Sequence, residues 1–136
     1  HILSLYGAEV RGALAIAKGD EARLEAILTA SFSPTNFRRE VVSAWLNFYV
    51  LAQTVPGARR LLSVYQCRLR SNLMACLRPM AGARAGALAD SMGALIDGVY
   101  LREALKEGPP DGKAAKTVLQ AYLAAELMSE LKDAER

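Results

Sequence analysis

Residues 82–106 read GARAGALADSMGALIDGVYLREALK, and the spacing within them decides the fold. Leu88, Met92, Leu95, Ile96, Val99 and Tyr100 recur at intervals of three and four, which lays them along one side of an α-helix. Outward from this stretch the same period governs nearly the whole chain. Towards the N-terminus, a helix from about Ile2 to Ala17 aligns Leu3, Tyr6, Val10 and Leu14. Lys18-Gly19-Asp20 then supplies a closing cation, a glycine stop and an N-cap, so a second helix begins near Glu21 and carries Leu24, Ile27 and Leu28. Ser33-Pro34-Thr35 punctuates again, with Pro34 suited to a first turn, and a third helix carries Val41, Trp45, Phe48 and Ala52. Pro56 opens a fourth, through Leu61, Tyr65, Leu69, Leu73 and Leu77 towards Pro79. Beyond the quoted stretch, Gly108-Pro109-Pro110-Asp111-Gly112 is a loop, and a last helix runs from Lys113 to about Leu131. The reading is all-α: a bundle of about six helices, with residues 1–136 forming a single domain and no internal repeat.

Composition agrees. A chain of 136 residues with 52% hydrophobic and 23% charged residues has the size and apolar content of one soluble globular domain, and disorder is excluded. Charges break every long apolar stretch, so no membrane span is expected. The first residue is His1, and helix begins at once, which reads as a chain whose beginning is missing and not as a signal peptide. Between Arg38 and Arg84 lie eight arginines and one acid, Glu40. They occupy mixed helical phases without interleaved aromatic residues, which suits solvated faces better than a nucleic-acid surface. Cys67 and Cys76, nine residues apart, point to opposite sides of one helix and cannot pair within it. They read as reduced, mostly buried thiols of a cytoplasmic protein.

Small residues crowd the fifth helix: Ala85, Gly86, Ala87, Ala89, Gly93, Ala94 and Gly98. An interior glycine costs roughly 1 kcal/mol against alanine, so three in one helix imply close approach of another. The last helix is apolar over much of its girth, with Ala121, Ala124 and Ala125 beside Val118 and Tyr122. Pairing of these two helices with their copies makes a four-helix bundle across a two-fold axis, with Ala89, Gly93, Ala94, Val118, Tyr122 and Ala125 at the contact. The alternative is that both helices only close the protomer's own core.

Enzyme signatures are missing. The lone histidine is terminal, and no phosphate-binding glycine loop, HExxH or zinc-ligand spacing occurs. No cofactor or metal is implied. The carboxylate that stands out is Asp97, within ALIDGVY, where neighbours one turn away are apolar or small. Such a group needs an arginine (Arg68, Arg70 or Arg102), a hydroxyl, a helix N-terminus or a cationic ligand. Trp45 and Tyr49 share a helix face, with Phe48 beside them. Tyr65 and Tyr100 come from helices that pack nearby. These rings with Asp97 suit a quaternary ammonium, at ~0.5–2 kcal/mol per cation–π contact; equally, they can be core.

The runs AWLNFY (44–49), RLRSNL (68–73) and ALIDGVYLR (94–102) resemble the C-terminal domain of TetR-type transcriptional repressors, and within them the BetI-like branch of the choline and glycine betaine pathway. The resemblance extends from about Leu3 to Leu127. It implies a homodimer formed through the last two helices, a small-molecule inducer held between the others, and operator DNA bound by an N-terminal helix-turn-helix. That motif is missing ahead of Ile2, and residues 1–17 correspond to the helix that links the two domains. Choline or betaine aldehyde is the inducer that the resemblance implies for Trp45, Phe48, Tyr49, Tyr65, Asp97 and Tyr100. The competing reading is an independent helical interaction module without a ligand.

Overall fold

The computed structural model describes residues 2–135, the side chains of residues 130–134 aside. Among them are six α-helices and no strand: α1 (Ile2–Ile16), α2 (Asp20–Ser31), α3 (Arg39–Ala52), α4 (Pro56–Ala81), α5 (Ala85–Leu105) and α6 (Gly112–Ala134). A 3-10 turn, Gly82–Arg84, joins α4 to α5. The all-α bundle expected from the spacing is the fold observed.

Local chemistry accounts for the boundaries. Gly19, at φ +88°, turns the chain between α1 and α2 in a conformation that side chains disfavour. It occupies the N-cap position expected of Asp20, which instead enters the first turn with Glu21, where both face the positive end of the helix dipole. Pro34 does not open α3. The segment after it folds into a turn, with the Phe37 amide donating to the Ser33 carbonyl at 2.7 Å. Asn36 and Phe37 are buried there. The Asn36 amide nitrogen donates to the Ala30 carbonyl (2.9 Å) at the end of α2 and to Glu9 of α1 (2.6 Å). The segment is used to close α2 and plug the core, so α3 waits until Arg39. Pro56 begins α4 as expected, and Gly82 (φ +53°) ends it, one turn beyond the exposed Pro79.

The core runs through all six helices, with Ile27, Leu28, Val42, Leu73, Leu77, Met92 and Leu119 fully enclosed. Each such side chain contributes roughly 1.5–3 kcal/mol by leaving water. Helix α4 is central, packed by α2, α3 and α5, while α1 lies chiefly on α2. Cys76 is buried but Cys67 is exposed, correcting the expectation of two mostly buried thiols. Their opposed helical phase, with one side of α4 in the core, is the reason.

One glycine fixes how α6 docks. A Cβ on Gly112 would lie 2.3 Å from the carbonyl oxygen of Phe32, a backbone atom that cannot swing away. Its φ is not positive, so alanine meets the contact alone and no backbone strain. Gly112→Ala is expected to lower stability by about 1–3 kcal/mol, the usual range for an overpacked site. Urea unfolding measures this, and an unchanged midpoint would contradict the close approach.

Candidate functional site

Helix α3 carries Trp45 and Tyr49 one turn apart, α4 brings Tyr65 across, and α5 presents Asp97 and Tyr100 three residues apart on one side. Trp45 is 2% exposed. Its ring centroid lies 4.9 Å from that of Tyr65, 6.0 Å from Tyr49, 6.3 Å from Phe48 and 6.5 Å from Tyr100. The five aromatic residues that the sequence singled out therefore meet around one indole.

Three more rings join them. Tyr6 of α1 meets Trp45 edge-on at 6.2 Å and Tyr65 at 5.6 Å. Phe32 and Phe37 flank Tyr100 at 5.8 and 4.9 Å. Sequence reasoning placed Tyr6 only on an apolar helix face. Its helical register with Val10 was visible, but its reach to Trp45 depends on how α1 crosses the bundle. Polar contacts stitch these rings together. Ser31 donates its hydroxyl to the Ile27 carbonyl at 2.8 Å, so Tyr6 donates to Ser31, at 2.7 Å. The Tyr100 hydroxyl donates to the Ser31 carbonyl. The indole N–H of Trp45, by contrast, is buried with no hydrogen-bond acceptor among the described residues.

Asp97 is tied to the network through Tyr49, whose hydroxyl donates to the carboxylate at 2.9 Å. Of the partners that the sequence left open, the structure supplies the hydroxyl. Arg70 pairs instead with Asp90, at 2.8 Å, and Asp97 forms no ion pair among the described residues. Burial raises the pKa of Asp97, and the Tyr49 hydrogen bond partly offsets this. The Tyr49 hydroxyl is pushed well up, first by burial and then by the neighbouring carboxylate.

The six candidate residues do not open into one space. Tyr49 and Asp97 line a cavity of about 470 Å³ between α3, α4 and α5, walled by Leu46, Val50, Leu62 and Leu101. Tyr65 faces a separate groove of about 760 Å³ between α1 and α4. Trp45 and Tyr100 lie buried behind both, and Phe48 is packed half-buried against Trp45. Of the six, Tyr49 and Asp97 line the first cavity, and Trp45 and Tyr100 are buried in the core.

On the α5–α6 side, Ala94, Val118 and Ala125 are exposed, while Gly93 and Tyr122 are half-buried. Ala89 is corrected: it is buried in the protomer's own core, on the inward line of Ala85, Leu88, Met92 and Ile96. The outward line of α5 runs instead through Ala87, Ala94, Leu101 and Leu105.

Residues 20–128 match a family described as BetI-type transcriptional repressor, C-terminal. The chain is 39% identical over 128 residues to the HTH-type transcriptional regulator BetI of Brucella melitensis, covering 93% of this chain and 65% of that protein. It is 42% identical over 118 residues to the HTH-type transcriptional regulator BetI of Agrobacterium fabrum, covering 86% and 57%. A crystal structure described as a "transcriptional regulator from Pseudomonas aeruginosa" superposes with a TM-score of 0.74 at 25% identity, over 93% of this chain and 66% of that one. The chain therefore spans a little under two thirds of the length of the Brucella relative.

Asp97 makes stability depend on pH. Its folded pKa lies above the unfolded value, so the folded chain holds this proton more tightly. Stability therefore falls as pH rises from the ordinary carboxylate range through the folded value. Asp97→Asn, which keeps an acceptor for Tyr49, is expected to raise Tm at pH 7 and to lose that gain in acid. Thermal scans of both proteins across pH check this, and a difference independent of pH would contradict it.

Proposed function

The chain belongs to the BetI-type family of transcriptional repressor C-terminal domains, and on that premise we propose that it is the ligand-sensing and dimerising part of a TetR-type repressor. In this reading operator DNA is bound by the helix-turn-helix part of the whole protein, which acts in the cytoplasm. No helix among the described residues is long and apolar enough to cross a membrane.

The observation that carries the ligand reading is the state of Asp97. It is a half-buried carboxylate whose partner is a neutral hydroxyl, in a cavity whose lining holds no cationic side chain. A small organic cation supplies the missing charge. A quaternary ammonium suits the site best, because it needs no acceptor and can rest on the Tyr49 ring beside the carboxylate. Choline and betaine aldehyde are the candidates of this class. Tyr49 lies against Trp45, and Trp45 against Tyr6 of α1, so a ligand that repositions Tyr49 acts on the helix assigned to the link with the DNA-binding part. Repression then falls according to the ligand's differential affinity for the two arrangements.

The dimer reading rests on the outward faces of α5 and α6. Ala94, Leu101 and Leu105 on one, and Val118, Ala121, Ala125 and Met128 on the other, leave small and apolar side chains in water. A second copy would cover them by the four-helix arrangement.

Calorimetry with choline tests the ligand. The parent is expected to bind saturably and Asp97→Asn about tenfold or more weakly, the scale of a lost charge-assisted contact. No heat from the parent at millimolar choline overturns the assignment. Light scattering after size exclusion tests the dimer. Ala94 is exposed in the protomer, so Ala94→Arg leaves the core intact and is expected to yield a folded monomer. A persisting dimer places the interface elsewhere.

A further inference from the structure

We propose that the groove between α1 and α4 is a second binding site, for a small amphipathic anion: an alkyl or aryl body ending in one carboxylate. It is separate from the Asp97 cavity and opposite to it in charge preference.

The groove exists because α1 packs chiefly on α2 and leaves α4 uncovered along one side. Its base is formed by the rings of Tyr6 and Tyr65, in contact at 5.6 Å. On the α4 wall, Leu61 and Val64 are 55% and 48% exposed, far more than large aliphatic side chains of a closed core. Leu3 and Val10 face them from α1. These surfaces suit a hydrocarbon body, and a volume of about 760 Å³ is of the size that small-molecule sites commonly have.

Charge selects the other end of the ligand. Arg11 on α1 and Arg68 on α4 both line the groove, and no carboxylate does. Neither guanidinium forms an ion pair with any described residue. Gly7 shows how the first is seated, because a Cβ there would come within 3.2 Å of an Arg11 guanidinium nitrogen. The missing side chain lets the guanidinium lie back along the helix beside the groove. Ser71 and Asn72, three and four residues after Arg68, add polar groups on the same side of α4. Two unpaired guanidiniums with neighbouring hydroxyl and amide groups form a carboxylate-binding set next to an apolar trough. A cation finds no counter-charge here, and a neutral alkane leaves both arginines unused.

Octanoate, octylammonium and octanol, three probes with one hydrocarbon tail, separate the possibilities. Titration of the chain is followed by calorimetry and by emission of Trp45, which touches both rings at the base of the groove. Octanoate is expected to bind saturably and at least about tenfold more tightly than the other two. The double variant Arg11→Gln, Arg68→Gln is expected to lose that preference, because each charge-assisted hydrogen bond is worth about tenfold in affinity. Both arginines are exposed, so circular dichroism and Tm should match the parent. Equal binding of octanol and octanoate overturns the proposal and leaves an apolar face that a protein partner covers. An unaltered double variant overturns it too. Octanoate is titrated without choline, so its result stands apart from the fate of the Asp97 reading.

Discussion

Trp45 lies ring against ring with side chains from four helices, and the rest of the molecule is arranged around that contact. Tyr6 comes from α1, Phe48 and Tyr49 from its own helix, Tyr65 from α4 and Tyr100 from α5. Edge-on and tilted ring pairs at these distances add about 0.5–1.5 kcal/mol each beyond the area they bury. Their larger effect is geometric, since a planar side chain held on several sides has one place to be. The indole N–H is buried, with no hydrogen-bond acceptor among the described residues.

The same cluster separates two spaces of different character. On the α3–α5 side, Asp97 is held by Tyr49 and faces an apolar cavity without a cation. On the α1–α4 side, Arg11 and Arg68 border a trough without a carboxylate. Tyr6 and Tyr65 line the second space, Tyr49 lines the first, and all three touch Trp45. Both spaces are therefore bordered by rings that touch the same indole. Tyr6 is in turn fixed by Ser31, whose carbonyl also accepts from Tyr100, so α1, α2 and α5 share one buried polar junction.

Much of this was legible before the fold was known. Three- and four-residue spacing gives the helices, and the signals at Gly19 and Pro56 give two of the boundaries, because these residues restrict the backbone locally, whereas α4 runs through Pro79, where the sequence suggests its end, to Gly82. Pro34 misleads for a nonlocal reason: Asn36 and Phe37 are drawn into the core to close α2, which delays α3 to Arg39. Trp45, Phe48, Tyr49, Tyr65 and Tyr100 converge as their helical phases suggest. Tyr6 escapes notice as a member of the cluster because its reach to Trp45 depends on how α1 crosses the bundle. Ala89 and Cys67 are misassigned because small size and thiol chemistry do not reveal which side of a helix meets its neighbour.

By itself, the sequence determines the all-α class, the approximate helix limits, the shared helix face of Trp45 and Tyr49 and the likeness to its family. These follow from local backbone preference and helical period, which depend on neighbours a few residues away. Only the tertiary structure decides that Asp97 takes the Tyr49 hydroxyl in place of an arginine, and that the rings divide two cavities instead of walling one. Those outcomes depend on where α1, α4 and α5 cross α3, and crossing is set by the shapes of side chains distant in sequence.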